Sequence, residues 1–322
     1  RGLLAACGVC LVLSGPVLRS ARPAQMSRLG PATLMPTRKL ANPLWAFAFP
    51  TIGAALTIIA AVVAAAAARR LHRHHRRGLC RSRSPAGTFT LGYWDIRGLA
   101  APARMMLAYR GAAFEDRTYS LQPQEDGGWG APAWFDTDRP PLRERNAFIN
   151  LPYLVDHESG IVVSQSTALY QFLGRKLGLM GENEAERAAT EQTLAQAFDL
   201  RNECVRVVYP FAGTSAERFS AALAKHLRAV AAPSAAYDRF SRFLGDKPFF
   251  AGSRPTAGDF HIWEMLDQHE LMASSAGLPS PLEAHPTLRA FHARLRALPQ
   301  LQLYFDSEAA HLPCNNRMAH FR

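Results

Sequence analysis

Acidic residues are missing from the first 94 positions of this 322-residue chain, which hold 13 lysine and arginine side chains. The formal net charge of +11 therefore belongs to that part alone, because residues 95–322 carry 24 basic and 26 acidic side chains, a net charge of −2. A chain this basic would normally suggest binding to nucleic acid. Since the part that contains acids is close to neutral, we expect no nucleic-acid partner.

Cysteine is also scarce. The five cysteines are too few and too scattered for a disulfide scaffold, and only Cys204 and Cys314 lie beyond residue 87. Cys7 and Cys10 have a C-x-x-C spacing but lack a second pair of ligands. The histidines at 72–75 lie in a polybasic run whose charge would repel a cation. The sequence therefore predicts no metal site.

Residues 1–87 are predicted to be a targeting or membrane extension. The apolar run at 2–18 resembles the core of a signal peptide. The stretch 19–39 is basic, free of acids and rich in Ser, Thr and Pro, which is typical of a transit peptide.

A longer uncharged stretch follows at 41–68. It is long enough for about 42 Å of helix, against a bilayer core of about 30 Å. We expect a single transmembrane helix at 44–68, with the basic cluster at 69–83 holding the folded domain on the cytoplasmic side. The alternative is an organelle-targeting region that is cleaved off, because alanine is only weakly hydrophobic and Pro50 interrupts the stretch.

The remaining chain divides into a mixed part and a helical part. The predicted elements are strands at 88–94, 114–121, 152–155 and 161–163 and helices at 98–110 and 166–177. The stretch 122–141, rich in Gly and Pro, is expected to be irregular. From 184 to about 305 only helical periodicity remains. The sequence thus predicts an α+β fold, with a small mixed sheet at 88–180 and an all-α domain at 184–322.

Three ordered blocks of sequence carry a family resemblance. LGYWDIRGLA at 91–100, NLPYLVD at 150–156 and SQSTAL at 164–169 are similar, in order and spacing, to cytosolic glutathione transferases, most closely to the mu class. The resemblance covers about residues 89–322. It implies a thioredoxin-like domain followed by the all-α domain, a homodimer, and conjugation of glutathione to electrophilic small molecules in detoxification. Glutathione is then the co-substrate, and no other cofactor is expected.

The resemblance assigns the catalytic hydroxyl to Tyr93. The thiol of glutathione has a pKa near ~8.5 and is mostly protonated at neutral pH, whereas the thiolate is the nucleophile. A hydroxyl that donates a hydrogen bond to the sulfur favours the thiolate without itself ionising. One such bond contributes about 1.5–3 kcal/mol, enough to lower the thiol pKa by about one unit or more. A core tyrosine is the alternative, which the surrounding block disfavours.

The other two blocks imply residues that bind glutathione. Pro152, predicted to be cis, leaves the backbone of Leu151 to pair with the cysteinyl unit, and Asn150 precedes both. Gln165 and Ser166 end a strand and begin a helix, whose N-terminus attracts the γ-glutamyl carboxylate. A turn proline and a plain helix N-cap at Ser166 explain the same residues without a ligand.

Trp94, in the first block, and Trp134 are also assigned to the glutathione site. The resemblance puts Trp134 beside the glycyl end of glutathione. The loop differs in length from the family, because Ala131 and Asp138 occupy positions where the mu pattern has basic residues. Arg139 is therefore the candidate ligand of the glycyl carboxylate.

The helical domain supplies two more candidates, Asp199 and Tyr209, which keep the family's ten-residue separation. The resemblance implies that Asp199 reaches the γ-glutamyl amine of glutathione bound in the neighbouring subunit. Tyr209 would face the electrophile and hydrogen-bond a developing oxyanion. Without the resemblance, Asp199 would be interpreted as a residue on a solvent-exposed helix face and Tyr209 as an aromatic residue of the core. Thr256 and Asp259 form a capping-box pattern, to which we assign no catalysis.

The leading hypothesis is glutathione conjugation activated by Tyr93, without a metal ion. Two alternatives are a glutathione-dependent isomerase or peroxidase on the same fold, and a membrane-tethered protein that binds glutathione or another ligand without catalysis. The intact Tyr93 and the Gln165–Ser166 pair favour an enzyme. The altered loop around Trp134 leaves the binding protein open.

Overall fold

A four-stranded mixed sheet forms the first part of the described chain. The computed structural model describes residues 88–125 and 127–322, so the predicted extension at 1–87 and its apolar span at 44–68 lie outside the described residues. The strands are β1 (Phe89–Trp94), β2 (Phe114–Tyr119), β3 (Gln122–Pro123), β4 (Trp129–Gly130), β5 (Tyr153–Asp156) and β6 (Val162–Ser164). β3 and β4 pair in a separate ribbon, and the other four strands make the sheet.

β1 lies in the middle of the sheet, whose strand order is β2-β1-β5-β6. It pairs in parallel with β2, where Tyr93 lies opposite Thr118, and antiparallel with β5, where Gly92 lies opposite Tyr153. All six residues of β1 are buried, as expected for a strand that is covered on both faces. The predicted small mixed sheet is confirmed, and Tyr93 sits near the carboxyl end of its central strand.

Helices make up most of the remaining structure. They are α1 (Ala101–Arg110), α2 (Arg139–Arg145), α3 (Ser166–Leu177), α4 (Glu184–Val208), α5 (Ala216–Val230), α6 (Ala236–Leu244), α7 (Ala257–Ser275), α8 (Pro286–Arg296) and α9 (Gln302–Phe305). α4 begins where the side chain of Asn183 accepts a hydrogen bond from the backbone N–H of Glu186, which is a standard N-cap. Among the helices of the described residues, none is long and apolar enough to cross a membrane.

α7 is buried over most of its length and forms the core of the helical part. The predicted capping box is present at its start. The carboxylate of Asp259 accepts hydrogen bonds from the backbone N–H groups of Phe250 and Thr256 at 2.8 and 2.7 Å, and from the hydroxyl of Thr256 at 2.8 Å. Burial raises the pKa of Asp259 to about 6, and these donors oppose that shift.

A buried ion pair joins α7 to the loop after β1. Arg97 donates to the two carboxylate oxygens of Glu264 at 3.1 and 2.7 Å, and to Asp267 at 2.7 Å. The side chains of Arg97 and Glu264 are only 7% and 1% exposed. Burial alone would lower the pKa of Arg97, but the two carboxylates raise it, so the guanidinium remains charged.

The C-terminal segment, residues 313–320, packs against the other side of the same loop. The carbonyl of Pro313 accepts a hydrogen bond from the backbone N–H of Arg97 at 2.8 Å. Farther along, the N–H of His320 donates to the carbonyl of Val208, the last residue of α4, at 2.8 Å. The loop after β1 is therefore held between α7 and the C-terminal segment.

The structure differs from the sequence expectation in the stretch 122–141. Instead of being irregular, it contains β3, β4, a π-helical turn at Ala133–Asp138 and the start of α2. Pro140 and Pro141 argue against a helix when the sequence is scanned for breakers. They are nevertheless accommodated here, because they lie in the first turn of α2. The N–H groups of a first turn have no acceptor within the helix, so the N–H that proline lacks is not missed there.

Candidate active site

Tyr93 lies one residue before the end of β1 and is only 4% exposed. The loop after β1 runs close to its ring, since a Cβ atom added to Gly98 would lie 2.9 Å from the Tyr93 hydroxyl oxygen. Gly98 also has a φ of +38°, which side chains rarely adopt. For this reason the helix predicted at 98–110 begins only at Ala101. Glycine at position 98 thus lets the backbone approach the hydroxyl.

A largely enclosed cavity of about 20 Å³, room for about one water molecule, adjoins Tyr93. Leu99 lines it from the loop after β1, Arg201 from α4, His261 from α7 and Asn315 from the C-terminal segment. The cavity therefore lies where the sheet part and the helical part of the chain meet.

Of the two candidates predicted in the helical part, Tyr209 reaches this cavity and Asp199 does not. Tyr209 directly follows α4 and is 6% exposed, and its hydroxyl accepts a hydrogen bond from the backbone N–H of Asn316 at 3.1 Å. Asp199 is exposed on α4, where the side chain of Gln196 donates to its carboxylate at 3.4 Å. The fold thus brings the hydroxyl-bearing rings of Tyr93 and Tyr209 to one site.

The peptide bond between Leu151 and Pro152 is cis, as the resemblance implies. The N–H of Leu151 donates to the side-chain oxygen of Asn150 at 2.9 Å. Asn150 is tied to β6, because its N–H donates to the hydroxyl of Ser164 at 2.9 Å and that hydroxyl donates back to the Asn150 carbonyl at 3.0 Å. The side chain of Asn150 must therefore turn away before the N–H of Leu151 can donate to a ligand.

A strained residue precedes α3. Gln165 has φ +71° and ψ +111°, and it is exposed. Ser166 is the first residue of α3 and is buried, so the interpretation of Ser166 as the N-cap is wrong; Gln165 occupies that position, and its side chain does not cap the helix. Strain of this kind costs about 1–3 kcal/mol and is concentrated at functional sites. The N–H groups of the first turn of α3 can receive a carboxylate.

The tryptophans predicted for the glutathione site are both buried. Trp134 is 1% exposed and stacks on Tyr153, with ring centroids 5.6 Å apart. It also contacts the ring of Tyr119 at 5.3 Å, so its ring packs against strands β2 and β5, and burial of a ring this large removes much apolar surface from water. Trp94 is 6% exposed and packs on Phe135 at 6.3 Å, and the guanidinium of Arg139 lies 5.9 Å from the Phe135 ring. Phe135, which sequence reasoning missed, thus lies between Trp94 and Arg139.

Most of the cavity lining was not predicted, including the polar residues Arg201, His261 and Asn315. Neither ring nitrogen of His261 has a hydrogen-bond partner among the described residues, and the side-chain nitrogen of Asn315 is likewise buried and unpaired. Burial, and secondarily the charge of Arg201, lowers the pKa of His261 to about 3, so the ring is neutral. Buried polar atoms without partners are uncommon, and these line a cavity that can receive polar ligand groups. The sole sequence signal is a histidine inside the apolar run FHIW.

Known proteins of similar sequence and structure share one description. A family model for the glutathione S-transferase C-terminal domain matches residues 198–308. The chain is 34% identical over 222 residues to glutathione S-transferase Mu 1 of Oryctolagus cuniculus, covering 68% of this chain and 90% of that protein. It is 35% identical over 218 residues to glutathione S-transferase Mu 2 of Rattus norvegicus, with the same coverage of 68% and 90%. The crystal structure of the glutathione S-transferase Blo t 8 superposes with a TM-score of 0.58 at 26% identity, covering 72% of this chain and 99% of that one.

The neutral ring of His261 predicts a pH dependence of stability. Its pKa is about 3 in the folded protein and 6.5 as an unperturbed side chain, so its contribution is present above pH 6.5 and is lost as the pH falls toward 3. Between pH 6 and 4 the loss amounts to ~1.4 kcal/mol per pH unit. In urea unfolding measured across this range, His261→Leu should reduce the slope of the unfolding free energy against pH by that amount.

The matched control is His311→Gln, which removes an exposed histidine outside the cavity. Equal slopes for the wild-type chain and His261→Leu would contradict a ring that is neutral in the folded state.

Proposed function

Since this chain belongs to the glutathione S-transferase family and conjugates glutathione to electrophilic small molecules, we propose that the hydroxyl of Tyr93 activates the glutathione thiol. Glutathione is the co-substrate of the reaction. We assign the chain to the mu class, because relatives of that name match it at 34 and 35% identity. The single observation that carries the mechanism is that Tyr93 and Tyr209 line the same cavity.

The reaction needs a thiolate next to an electrophile. In this proposal the thiol loses its proton to solvent while Tyr93 donates a hydrogen bond to the sulfur. The sulfur then forms a bond to the electrophilic carbon, and the electron pair passes either to a departing leaving group or to an atom of the electrophile whose π bond opens. The 4% exposure of Tyr93 supports this role, because a hydrogen bond is stronger where water is excluded. Tyr209 and Arg201 lie where they can stabilise negative charge that develops on the electrophile.

In the proposed pose, glutathione lies along the edge of a thioredoxin-like domain at 88–180. The γ-glutamyl carboxylate binds the N–H groups at the start of α3, with Gln165 and Ser166, and the strained φ of Gln165 supports a ligand at this point. The cysteinyl backbone pairs with Leu151, which puts the sulfur toward Tyr93. The electrophile then lies against the helical domain at 184–322.

The glycyl end is assigned to the side of Trp94 and Arg139. Arg139 is the first residue of α2 and half-buried beside Phe135, which supports it as the ligand of the glycyl carboxylate. Trp134 is left out of this pose because it is buried against the sheet. The same thiolate would serve an isomerase or a peroxidase, but no residue of the described part favours those reactions over conjugation.

Replacing Tyr93 by Phe tests the mechanism. Conjugation of a chromogenic electrophile should fall by about 100-fold, because one donor to the reacting atom is lost. The pKa of bound glutathione, followed by thiolate absorbance against pH, should rise by about two units. Glutathione affinity should stay within a few-fold of the wild-type value.

Tyr109→Phe is the matched control for removal of a hydroxyl. Tyr109 lies on α1, half-buried against Phe260, and outside the cavity. Its turnover should match the wild type. Unchanged turnover in Tyr93→Phe would remove Tyr93 from the mechanism.

We further propose that the enzyme is a homodimer in which Asp199 of the partner subunit binds the γ-glutamyl amine. Asp199 is exposed and outside the cavity of its own chain, which fits an action across an interface. Phe148, in the loop before the cis peptide, is 79% exposed. Exposure of so much apolar surface to water is unfavourable, and a partner surface that covers the ring would remove this cost.

Sedimentation velocity tests this assembly. The wild-type chain should sediment as a dimer, and Phe148→Ser should shift it toward the monomer. Leu303→Ser removes another exposed apolar side chain, 56% exposed on α9, and should leave the dimer intact. A wild-type chain that sediments as a monomer would contradict the proposal.

For residues 1–87 we propose a membrane anchor, with 44–68 as the span and the catalytic domain on the cytoplasmic side. The support is the uncharged stretch followed by basic residues in the sequence. Carbonate washing of membranes from expressing cells should leave the full-length chain in the pellet, together with an integral-membrane marker. A shorter product that starts near Arg81–Thr88, identified by N-terminal sequencing, would instead support organelle targeting with cleavage.

A further inference from the structure

Cys204 on α4, His226 on α5 and His269 on α7 meet in the core of the helical part and are called the Cys–His cluster below. The sulfur and one nitrogen of each ring lie within 4.8 Å of one another. The three residues are 3%, 9% and 0% exposed. They are far apart in sequence, so no spacing motif indicates them, and the sequence prediction of no metal site did not consider them.

The hydrogen bonds around His269 fix which nitrogen faces the cluster. Its Nδ1 lies 2.5 Å from the carbonyl oxygen of Met265, which can only accept, so Nδ1 carries the proton. Its Nε2 then carries a lone pair and accepts from Nε2 of His226 at 2.9 Å. Histidines that bind metals are generally oriented in this way, with the other nitrogen donating to a backbone carbonyl or carboxylate. The two rings thus bring their Nε2 atoms together, and imidazole nitrogen is a ligand atom of Zn²⁺.

A fourth polar group borders the cluster without a partner. Tyr237 on α6 is fully buried, and its hydroxyl has no hydrogen-bond partner among the described residues. Its ring packs edge-on against His269, with centroids 6.0 Å apart. Tyr237 therefore contributes a buried polar group next to one of the two histidines of the cluster. A buried hydroxyl without a partner is unfavourable, and a water on a metal ion would supply one.

We propose that the Cys–His cluster binds one Zn²⁺ ion through Sγ of Cys204 and the Nε2 atoms of His226 and His269. Thiolate and imidazole are the ligands that Zn²⁺ prefers, and three of them leave the fourth tetrahedral position to a water near Tyr237. Bonds of about 2.1 Å to nitrogen and 2.3 Å to sulfur separate the ligand atoms by roughly 3.4 to 3.7 Å. The contact of 2.9 Å between the two histidines therefore has to widen by about half an ångström, and a sulfur–nitrogen distance near the 4.8 Å limit has to shorten by about 1 Å. Binding of the ion thus requires rotation of the rings and of the Cys204 side chain.

Binding releases one proton and transfers no electrons. Burial raises the pKa of the Cys204 thiol to about 12, and the thiol loses its proton to solvent as the sulfur–zinc bond forms. His226 gives up the proton on Nε2 and takes one on Nδ1, so its ring stays neutral.

The site ties α4, α5 and α7 together from inside the bundle, a common position for metal sites in helical proteins. Cys204 also lines the cavity next to Tyr93, so a bound ion would hold its sulfur as a ligand instead of leaving it a free thiol beside an electrophile. The inference does not depend on the role assigned to Tyr93.

The experiment uses the full chain, in which other cysteines and histidines must first be silenced. Cys7, Cys10 and Cys80 are changed to Ser, and the histidines at 72, 74 and 75 to Ala; this variant is called the tail-substituted chain. Equilibrium dialysis against Zn²⁺ should give one ion per chain, with a Zn²⁺-dependent rise in Tm. Co²⁺ in place of Zn²⁺ should give a sulfur-to-cobalt charge-transfer band and the intense d–d bands of tetrahedral coordination.

Variants of the tail-substituted chain show whether Cys204 binds the ion or only stabilises the fold. Cys204→Ala should keep the helical circular dichroism, lose the charge-transfer band and weaken Zn²⁺ binding by at least about 100-fold. Cys314→Ser, which removes the other cysteine of the described part, should keep the band and the affinity. The proposal is overturned if the tail-substituted chain binds no stoichiometric Zn²⁺ and its Tm does not respond, or if the cobalt spectrum lacks the sulfur band. If Cys204→Ala does not fold, the tail-substituted chain alone still decides.

Discussion

The buried ion pair between Arg97 and Glu264 is the contact on which the active site depends. It connects the loop after β1 with α7, and that loop carries Gly98 past the Tyr93 hydroxyl. Removing one partner would leave a buried charge unpaired, at a cost of about 3–5 kcal/mol, whereas the intact pair adds little net stability over apolar residues of the same size. We therefore interpret the pair as a positioning contact. It sets the distance between the sheet, which supplies Tyr93, and the helical part, which supplies the opposite wall of the cavity.

The two sides of the cavity are therefore held in different ways. β1 is rigid because it is buried and paired on both sides, so Tyr93 is held by backbone hydrogen bonds along the strand. The opposite wall consists of helix side chains and the C-terminal segment, including Arg201, His261 and Asn315, which lie outside the sheet. In the proposed mechanism, the hydroxyl that activates the thiol therefore belongs to a buried strand, and the groups that meet the electrophile belong to the helical part.

The sequence predicted the sheet and the cis bond before Pro152, because their signals are local. Strand alternation, the block around Tyr93 and the proline that proves to be cis each lie within a few residues. What escaped prediction depends on contacts between distant segments. Trp134 turns into the core because Tyr153 offers a stacking surface, and Asn315 reaches the cavity because the end of the chain returns to the loop after β1. The Cys–His cluster is of the same kind, since three helices must pack before its members meet.

The enclosure of the cavity also bears on the free energy of ligand binding. A space of about 20 Å³ holds about one water molecule, so it does not hold the sulfur of glutathione together with an electrophile. The C-terminal segment forms part of the wall, and its backbone N–H groups donate hydrogen bonds to Tyr209 and Val208. A ligand that enters between Tyr93 and Tyr209 has to displace wall side chains, so the contacts that hold this wall in place also enter its binding free energy.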